Sequence, residues 1–202
     1  MSKRIITIGR QFGSGGRMIG KQIAEALNYK FFDKELLAQA AKDTGYCEDT
    51  FLKADEKGFD PFAYAALGAI PSFGMSFNRD VLTNEKLFLL QCKTIENIAE
   101  SCESVIIGRC ANYVLRKRPD VLSIFICDSY DNRVNRVMKR YDVTDHVAKK
   151  MIRTKDKTRS SYYNFYTDTD WGLAENYDMC LNLGRLGEEK IITLIKKACI
   201  KL

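Results

Sequence analysis

The sequence predicts an α/β fold: a five-stranded parallel sheet flanked by helices. Three observations predict it. Five short β-type runs recur along the 202 residues, four of them are almost continuously apolar, and the stretches between them repeat apolar residues at helical spacing. Continuous apolar runs are what strands covered on both faces look like. Strands alternating with helices then imply right-handed crossovers and parallel neighbours.

Taken in order, the first run (RIITIG, residues 4–9) leads into a glycine-rich bend, and Ile19, Ile23, Ala26 and Leu27 mark an amphipathic helix behind it. The second run (KFFD, residues 30–33) ends at Asp33 and is followed by Lys34. Leu87, Leu90, Ile95 and Ile98 form the next helical stripe, with Thr83 placed as an N-cap. The third run is SVIIG (104–108) and the fourth VLSIFIC (121–127). Residues 133–170 are dense in Arg, Lys and Tyr; Arg133, Arg136 and Arg140 form a basic stripe there, facing either phosphates or solvent. The fifth run is DMCLNL (178–183), and Ile191, Ile192, Ile195 and Ala198 close the chain as an amphipathic helix. One stretch breaks the rhythm. Residues 58–78 hold two of the three prolines and four phenylalanines, which fits a packed insertion, a cover over an acceptor site or a surface for a homodimer.

Composition narrows the function. At 46% hydrophobic and 29% charged the chain is ordinary globular protein, and its length suits one domain over residues 1–202. No apolar run is long enough to span a membrane, and the start turns Gly-rich too soon for a signal peptide. The seven cysteines form no CxxC pair, which points to a reducing cytoplasmic setting rather than to disulfides or zinc. A net charge of +6 is too modest to favour nucleic acid as the partner of the basic, Tyr-rich segment. The one histidine, His146, excludes a multi-His metal site and is expected at the surface. Arg, Lys and Asp must carry the chemistry.

The strongest local signal is Gly9-Arg-Gln-Phe-Gly-Ser-Gly-Gly-Arg17, between a strand and a helix. Gly13, Gly15 and Gly16 allow backbone N–H groups around Ser14 to converge on an anion, the helix start adds donors and a positive dipole end, and Arg10 and Arg17 flank the nest with phosphate-binding forks. The strict phosphate-loop pattern G-x-x-x-x-G-K-[ST], begun at Arg10, keeps only Gly15 among its fixed positions, with Gly16 at the lysine and Arg17 at the hydroxyl. The dinucleotide pattern matches Gly13 and Gly15 and then meets Met18, with Asp33 placed as a ribose-binding acid, so a nicotinamide reading also stays open.

Longer blocks resolve more. Ile6-Thr-Ile-Gly-Arg-Gln-Phe-Gly-Ser-Gly-Gly-Arg17, Phe31-Phe-Asp-Lys-Glu-Leu-Leu37, Val105-Ile-Ile-Gly-Arg-Cys-Ala111 and Ser123-Ile-Phe-Ile-Cys127, then Asp156 to Tyr163, Trp171-Gly172 and Asn176-Tyr-Asp178, together resemble the cytidylate kinase-like family, nearly end to end. The resemblance implies a P-loop nucleoside monophosphate kinase-like fold with a helical lid at 143–170 and an acceptor-side insertion at 58–80. It implies ATP as phosphoryl donor with Mg²⁺, and a CMP- or dCMP-like monophosphate, or a similar small phosphorylated molecule, as acceptor. The ATP phosphates would lie on Gly13 to Arg17, the loop at Asn182 would border the adenine, and Asp33, Lys34 and Arg109 would hold the acceptor. Two departures stand out: Gly16 replaces the loop lysine, a change the kinase-like branch shares, and Gly108-Arg109-Cys110 replaces a Gly-Arg-Asp. Arg17 or Arg10 would then stand in for the lysine, and Mg²⁺ would be held by nucleotide oxygens and water, with Ser14, Asp33 or Asp128 as helpers.

On a helix through 147–166, Arg153, Asp156, Lys157 and Ser160 share one face and Arg159, Tyr163 and Tyr166 another. The first set is expected to close over the transferring phosphate, with Asp156 orienting the basic groups. Trp171 is expected to anchor the end of that lid. Arg17, Asp33, Arg153, Asp156, Lys157 and Arg159 are therefore the catalytic candidates. The competing reading is a nucleotide-sensing module that kept the nest and lost transfer, for which the absent lysine argues.

Overall fold

The computed structural model describes residues 4–33 and 84–199. Lys34, Cys47, Thr83 and the 58–80 insertion lie outside the described residues. Five parallel strands, β1 (Ile5–Arg10), β2 (Lys30–Phe32), β3 (Ser104–Ile107), β4 (Val121–Cys127) and β5 (Met179–Asn182), form one sheet in the order β2-β3-β1-β4-β5. β1 is central, with Ile5 in register with Ser104 on one side and Val121 on the other.

Side chains alternate across this sheet because the strand period is two, and both alternations are apolar. Ile6, Ile8, Val105, Ile107, Ile124 and Ile126 face one core. There they meet Ile19 and Ile23 of α1 (Gly16–Leu27) and Ile191 and Ile195 of α7 (Glu188–Cys199). Ile5, Ile106 and Val121 face the other, against Ile95 and Ile98 of α2 (Asn84–Ser101) and Ala111 of the short α3 (Ala111–Val114). Each such fully buried aliphatic side chain contributes roughly 1.5–3 kcal/mol, so two covered faces explain why the runs read as continuous. Two stripe assignments shift. Ala24 and Cys199 are buried where Ala26 and Ala198 were expected, because a 3.6-residue repeat carries the face through 19–20–23–24 and 191–195–199.

Past β4 the chain forms α4 (Tyr130–Tyr141), capped by the Ser129 side chain accepting from the Asn132 N–H, and then α5 (Asp145–Thr167). Val134 and Val137 of α4 pack on Ala148 and Ile152 of α5, with Phe12 of the glycine loop against them. Trp171 donates its backbone N–H to Asn164 Oδ1 at 2.9 Å and meets Phe125 edge-on, which ties the end of α5 to the sheet. A 3₁₀ turn (Ala174–Asn176), β5, α6 (Leu183–Leu186) and α7 complete the described chain. Among the described residues no helix is long and apolar enough to cross a membrane and no disulfide forms. Burial pushes the Cys92 thiol up to about 11 and the Cys110 thiol up to about 12, so neither is a nucleophile at neutral pH.

Candidate functional site

β1 delivers the chain at the carboxyl edge of the central strand, where open α/β sheets bind ligands. The bend from Gln11 to Gly15 is tied to the end of β4. The Gln11 N–H donates to Ile126 O at 3.2 Å and the Asp128 N–H to Gln11 Oε1 at 3.3 Å. Gly13 and Gly15 take φ of 78° and 85°, left-handed values that only glycine adopts freely. Ser14 is buried, its hydroxyl donating to Gln11 O at 2.9 Å. The carbonyls of Phe12 and Gly13 turn towards α4, where Arg133 Nε donates to the first at 2.9 Å and Arg136 Nη1 to the second at 2.5 Å. In a trans peptide N–H and C=O oppose one another, so the Gly13 N–H points away from α4. The unsatisfied first-turn donors and positive dipole end of α1 follow directly. Arg133, buried, and Arg136, half-buried, thus hold the loop's outer carbonyls.

The rotation of α5 is set by its buried stripe: Ala148, Ile152, Tyr163 and Thr167. That stripe carries Asp156 and Arg159 inward with it. Asp156 Oδ1 accepts from the Phe12 N–H at 2.7 Å, and its Oδ2 pairs with Arg133. Arg159 Nη1 donates to Arg10 O at 3.2 Å, and its guanidinium lies 5.5 Å from the Phe12 ring centroid. Arg153 and Lys157 were expected to share the working face with Asp156, yet both are exposed. Arg153 instead lines a basic surface cleft with Lys149, Lys150 and exposed His146, while the Ser160 hydroxyl returns to Lys157 O on its own helix. The stripe wins because apolar burial outweighs the placement of solvated charges.

At the ends of β1, β2 and β3 guanidinium groups gather around one carboxylate. Arg17 Nε donates to Asp33 Oδ2 at 2.6 Å, and Arg10 Nη2 lies 3.7 Å from Asp33 Oδ1. Burial pushes Arg10 down to about 9; repulsion from Arg159, Arg109 and Arg17 adds to this, and Asp33 opposes it. Arg159 is lowered too, first by burial, with Asp156 and Asp33 opposing and Arg109 reinforcing the shift. Four arginines therefore bear on the same small volume, which favours a multivalent anion. Arg109 itself follows β3 in a bend where Gly108, Arg109 and Cys110 all have positive φ (72°, 58° and 55°). Left-handed backbone at the two non-glycine residues costs on the order of 1–3 kcal/mol each, strain of the kind that collects at working sites.

The sequence profile of the cytidylate kinase-like family matches residues 5–185. This chain belongs to the cytidylate kinase-like family. A cytidylate kinase from Methanocorpusculum labreanum is 24% identical over 199 residues, spanning 98% of this chain and 97% of that one. Among solved structures, an uncharacterized protein from Eubacterium ventriosum is 30% identical with a TM-score of 0.72, covering 96% of this chain and 97% of its own. A shikimate kinase from Bacteroides thetaiotaomicron has a TM-score of 0.54 at 14% identity, covering 96% of each chain. A gluconokinase from Sinorhizobium meliloti has one of 0.50 at 16%, covering 96% of this chain and 92% of its own. These two share the fold.

In this cytidylate kinase-like chain one residue organises the site from behind. Asp128, its side chain 0% exposed, accepts from the N–H groups of Ser129 (2.7 Å) and Gly184 (3.1 Å), from Asn132 Nδ2 (3.0 Å) and from Arg136 Nη2 (2.8 Å). Three of these donors fall on Oδ1 and the Arg136 guanidinium on Oδ2, so its charge is already engaged within the protein. Asn182 caps α6, its Oδ1 accepting from the Arg185 N–H at 3.0 Å. Cys110, next to Arg109 in this bend, is buried. The roles of Arg133 and Asp128 as supports of the loop were missed by sequence reasoning. Their spacing to the loop exists only in three dimensions.

Proposed function

We propose that this chain transfers the terminal phosphoryl group of ATP to a CMP- or dCMP-like nucleoside monophosphate or a similar small phosphorylated acceptor. The convergence of Arg10, Arg17, Arg109 and Arg159 on Asp33, beside a phosphate-loop bend, is the observation that carries this reading. The triphosphate lies on the N–H groups of Gly13, Gly15 and Gly16 around Ser14, with Arg17 beside it, and the loop at Asn182 borders the base. Arg109 holds the acceptor phosphate. In the reaction the bond from the γ-phosphorus to the bridging oxygen of the leaving diphosphate breaks as one forms to an acceptor phosphate oxygen. Such an oxygen needs no base, so Asp33 orients guanidinium groups and acceptor rather than removing a proton. Positioning and charge neutralisation do the work, and one preorganised donor contributes about 2.7–4 kcal/mol in the transition state. Asp156 and Arg159 bring the lid, residues 143–170, onto the loop within a single domain.

The residues present do not build a cage for Mg²⁺. No cluster of three acidic, thiol or imidazole groups that could hold a metal exists among the described residues, the Ser14 hydroxyl is turned to Gln11 O, and Asp128 Oδ1 already accepts from three donors. Asp33 is bound by Arg17. The metal therefore arrives as part of the substrate, on nucleotide oxygens and water.

A coupled assay with MgATP and a panel of monophosphates tests the proposal. ADP release that depends on CMP or dCMP is the expected result. Tight MgATP binding with no transfer to any acceptor would favour the sensing module instead, and absence of MgATP binding would remove both.

A further inference from the structure

Measured against the phosphate-loop pattern, two fixed positions have exchanged character: the opening glycine is Arg10 and the lysine is Gly16. The geometry shows why the two go together. A β-carbon on Gly16 would stand 2.6 Å from Arg10 Cβ, 3.2 Å from Arg10 Cγ and 3.2 Å from Ile126 Cβ, and real β-carbons essentially never come closer than 3.0 Å to such neighbours. A side chain at 16 and the Arg10 stem compete for one volume. At the far end a β-carbon on Gly108 would stand 2.1 Å from Arg10 Nη1, so a second glycine makes room for the head group. Between these two glycines Arg10 runs from the loop's first position to the edge shared by Asp33 and Arg109.

We propose that Arg10 is the catalytic cation of this site, taking the place of the phosphate-loop lysine and setting its guanidinium against the transferring phosphoryl group. The assignment rests on the phosphotransferase reading above and decides between the two arginines that the sequence left open. Arg17 is a poorer fit: its side chain is 44% exposed, it is bound through Nε to Asp33, and its guanidinium lies over the Phe31 ring at 5.7 Å. Arg10 is 19% exposed and sits among the other cations of the cluster. A guanidinium offers two parallel donors where an ammonium offers a point charge, so it can span two phosphate oxygens from a root on the opposite side of the loop.

The test is a set of three full-length variants: Arg10→Met, which keeps the stem and drops the charge; Gly16→Lys; and the double exchange Arg10→Gly with Gly16→Lys. Calorimetric titration with MgATP should show Arg10→Met weaker by about tenfold or more, the usual worth of one charge-assisted contact. Gly16→Lys alone should also lose affinity, through the clash, and the double exchange should recover most of both losses. Inorganic tripolyphosphate, which carries no nucleoside, should raise the thermal midpoint of the unmodified chain and of the double exchange but not of Arg10→Met. The assignment is overturned if the unmodified chain binds MgATP and Arg10→Met binds it equally well, or if Gly16→Lys gains affinity with Arg10 in place. Should the lysine variants not fold by circular dichroism, the Arg10→Met comparison decides alone. An unmodified chain that binds neither MgATP nor tripolyphosphate overturns the phosphotransferase reading itself, and this assignment with it.

Discussion

Replacing Asp128 with asparagine removes a charge while keeping the volume, and the structure sets the size of the effect. The side chain is fully buried and accepts from four donors, one of them the Arg136 guanidinium. Breaking a buried ion pair by removing one partner costs roughly 3–5 kcal/mol when both are desolvated. Arg136 is 35% exposed, so water can take over part of its solvation, and about 2–4 kcal/mol is expected. For a chain of this size that is a fall of roughly 5–15 °C in thermal midpoint. The pH dependence follows from the direction of the shift. Burial alone would raise the Asp128 carboxyl, but hydrogen bonds from Asn132, Arg136 and the Ser129 N–H outweigh it and hold the group below its ordinary value of 3.8. Its contribution is therefore complete above that value and is lost as the pH falls through the lower, folded-state one. Urea unfolding followed by circular dichroism should show a wide gap between Asp128→Asn and the unmodified protein at pH 7 that closes in acid below about pH 4. A gap under about 0.5 kcal/mol at pH 7, or one that does not narrow between pH 5 and pH 2, would refute the role given to this carboxylate.

Three further outcomes are expected. Asp156→Asn, which weakens the grip on the Phe12 N–H and on Arg133, should lower kcat/KM by roughly 10²-fold through misplacement of the loop, measured in the coupled assay. Arg159→Ala should cost about 2.7–4 kcal/mol of transition-state stabilisation. Exposed Arg153→Ala should change turnover only slightly and stability by less than about 0.5 kcal/mol; equal effects from the two would contradict the observed rotation of α5. Arg109→Met should raise the acceptor KM by about tenfold or more while MgATP affinity, read by calorimetry, stays close to that of the unmodified chain.

Much of the architecture was legible before any coordinates. Ile5 to Ile8, Val105 to Ile107 and Val121 to Ile126 are apolar on both alternations, and that pattern is stable only in a sheet covered on both faces. The glycines at 13 and 15 likewise announced a left-handed bend, because few other residues tolerate it. These are local or periodic properties, written along the chain. What surrounds the bend is of another kind. Arg133 reaches the loop across 121 residues and Asp156 across 144, contacts for which no short-range pattern exists. The basic stripe on α4 looked equally suited to solvent or phosphate, and the Arg153–Asp156–Lys157 face of α5 was expected to meet phosphate. Only packing of Val134 and Val137 against Ala148 and Ile152 chose the rotation that turned Arg133, Arg136, Asp156 and Arg159 inward and left Arg153 and Lys157 in water. Periodicity determines which faces are buried; which charges ride along with a buried face is settled when two such faces meet.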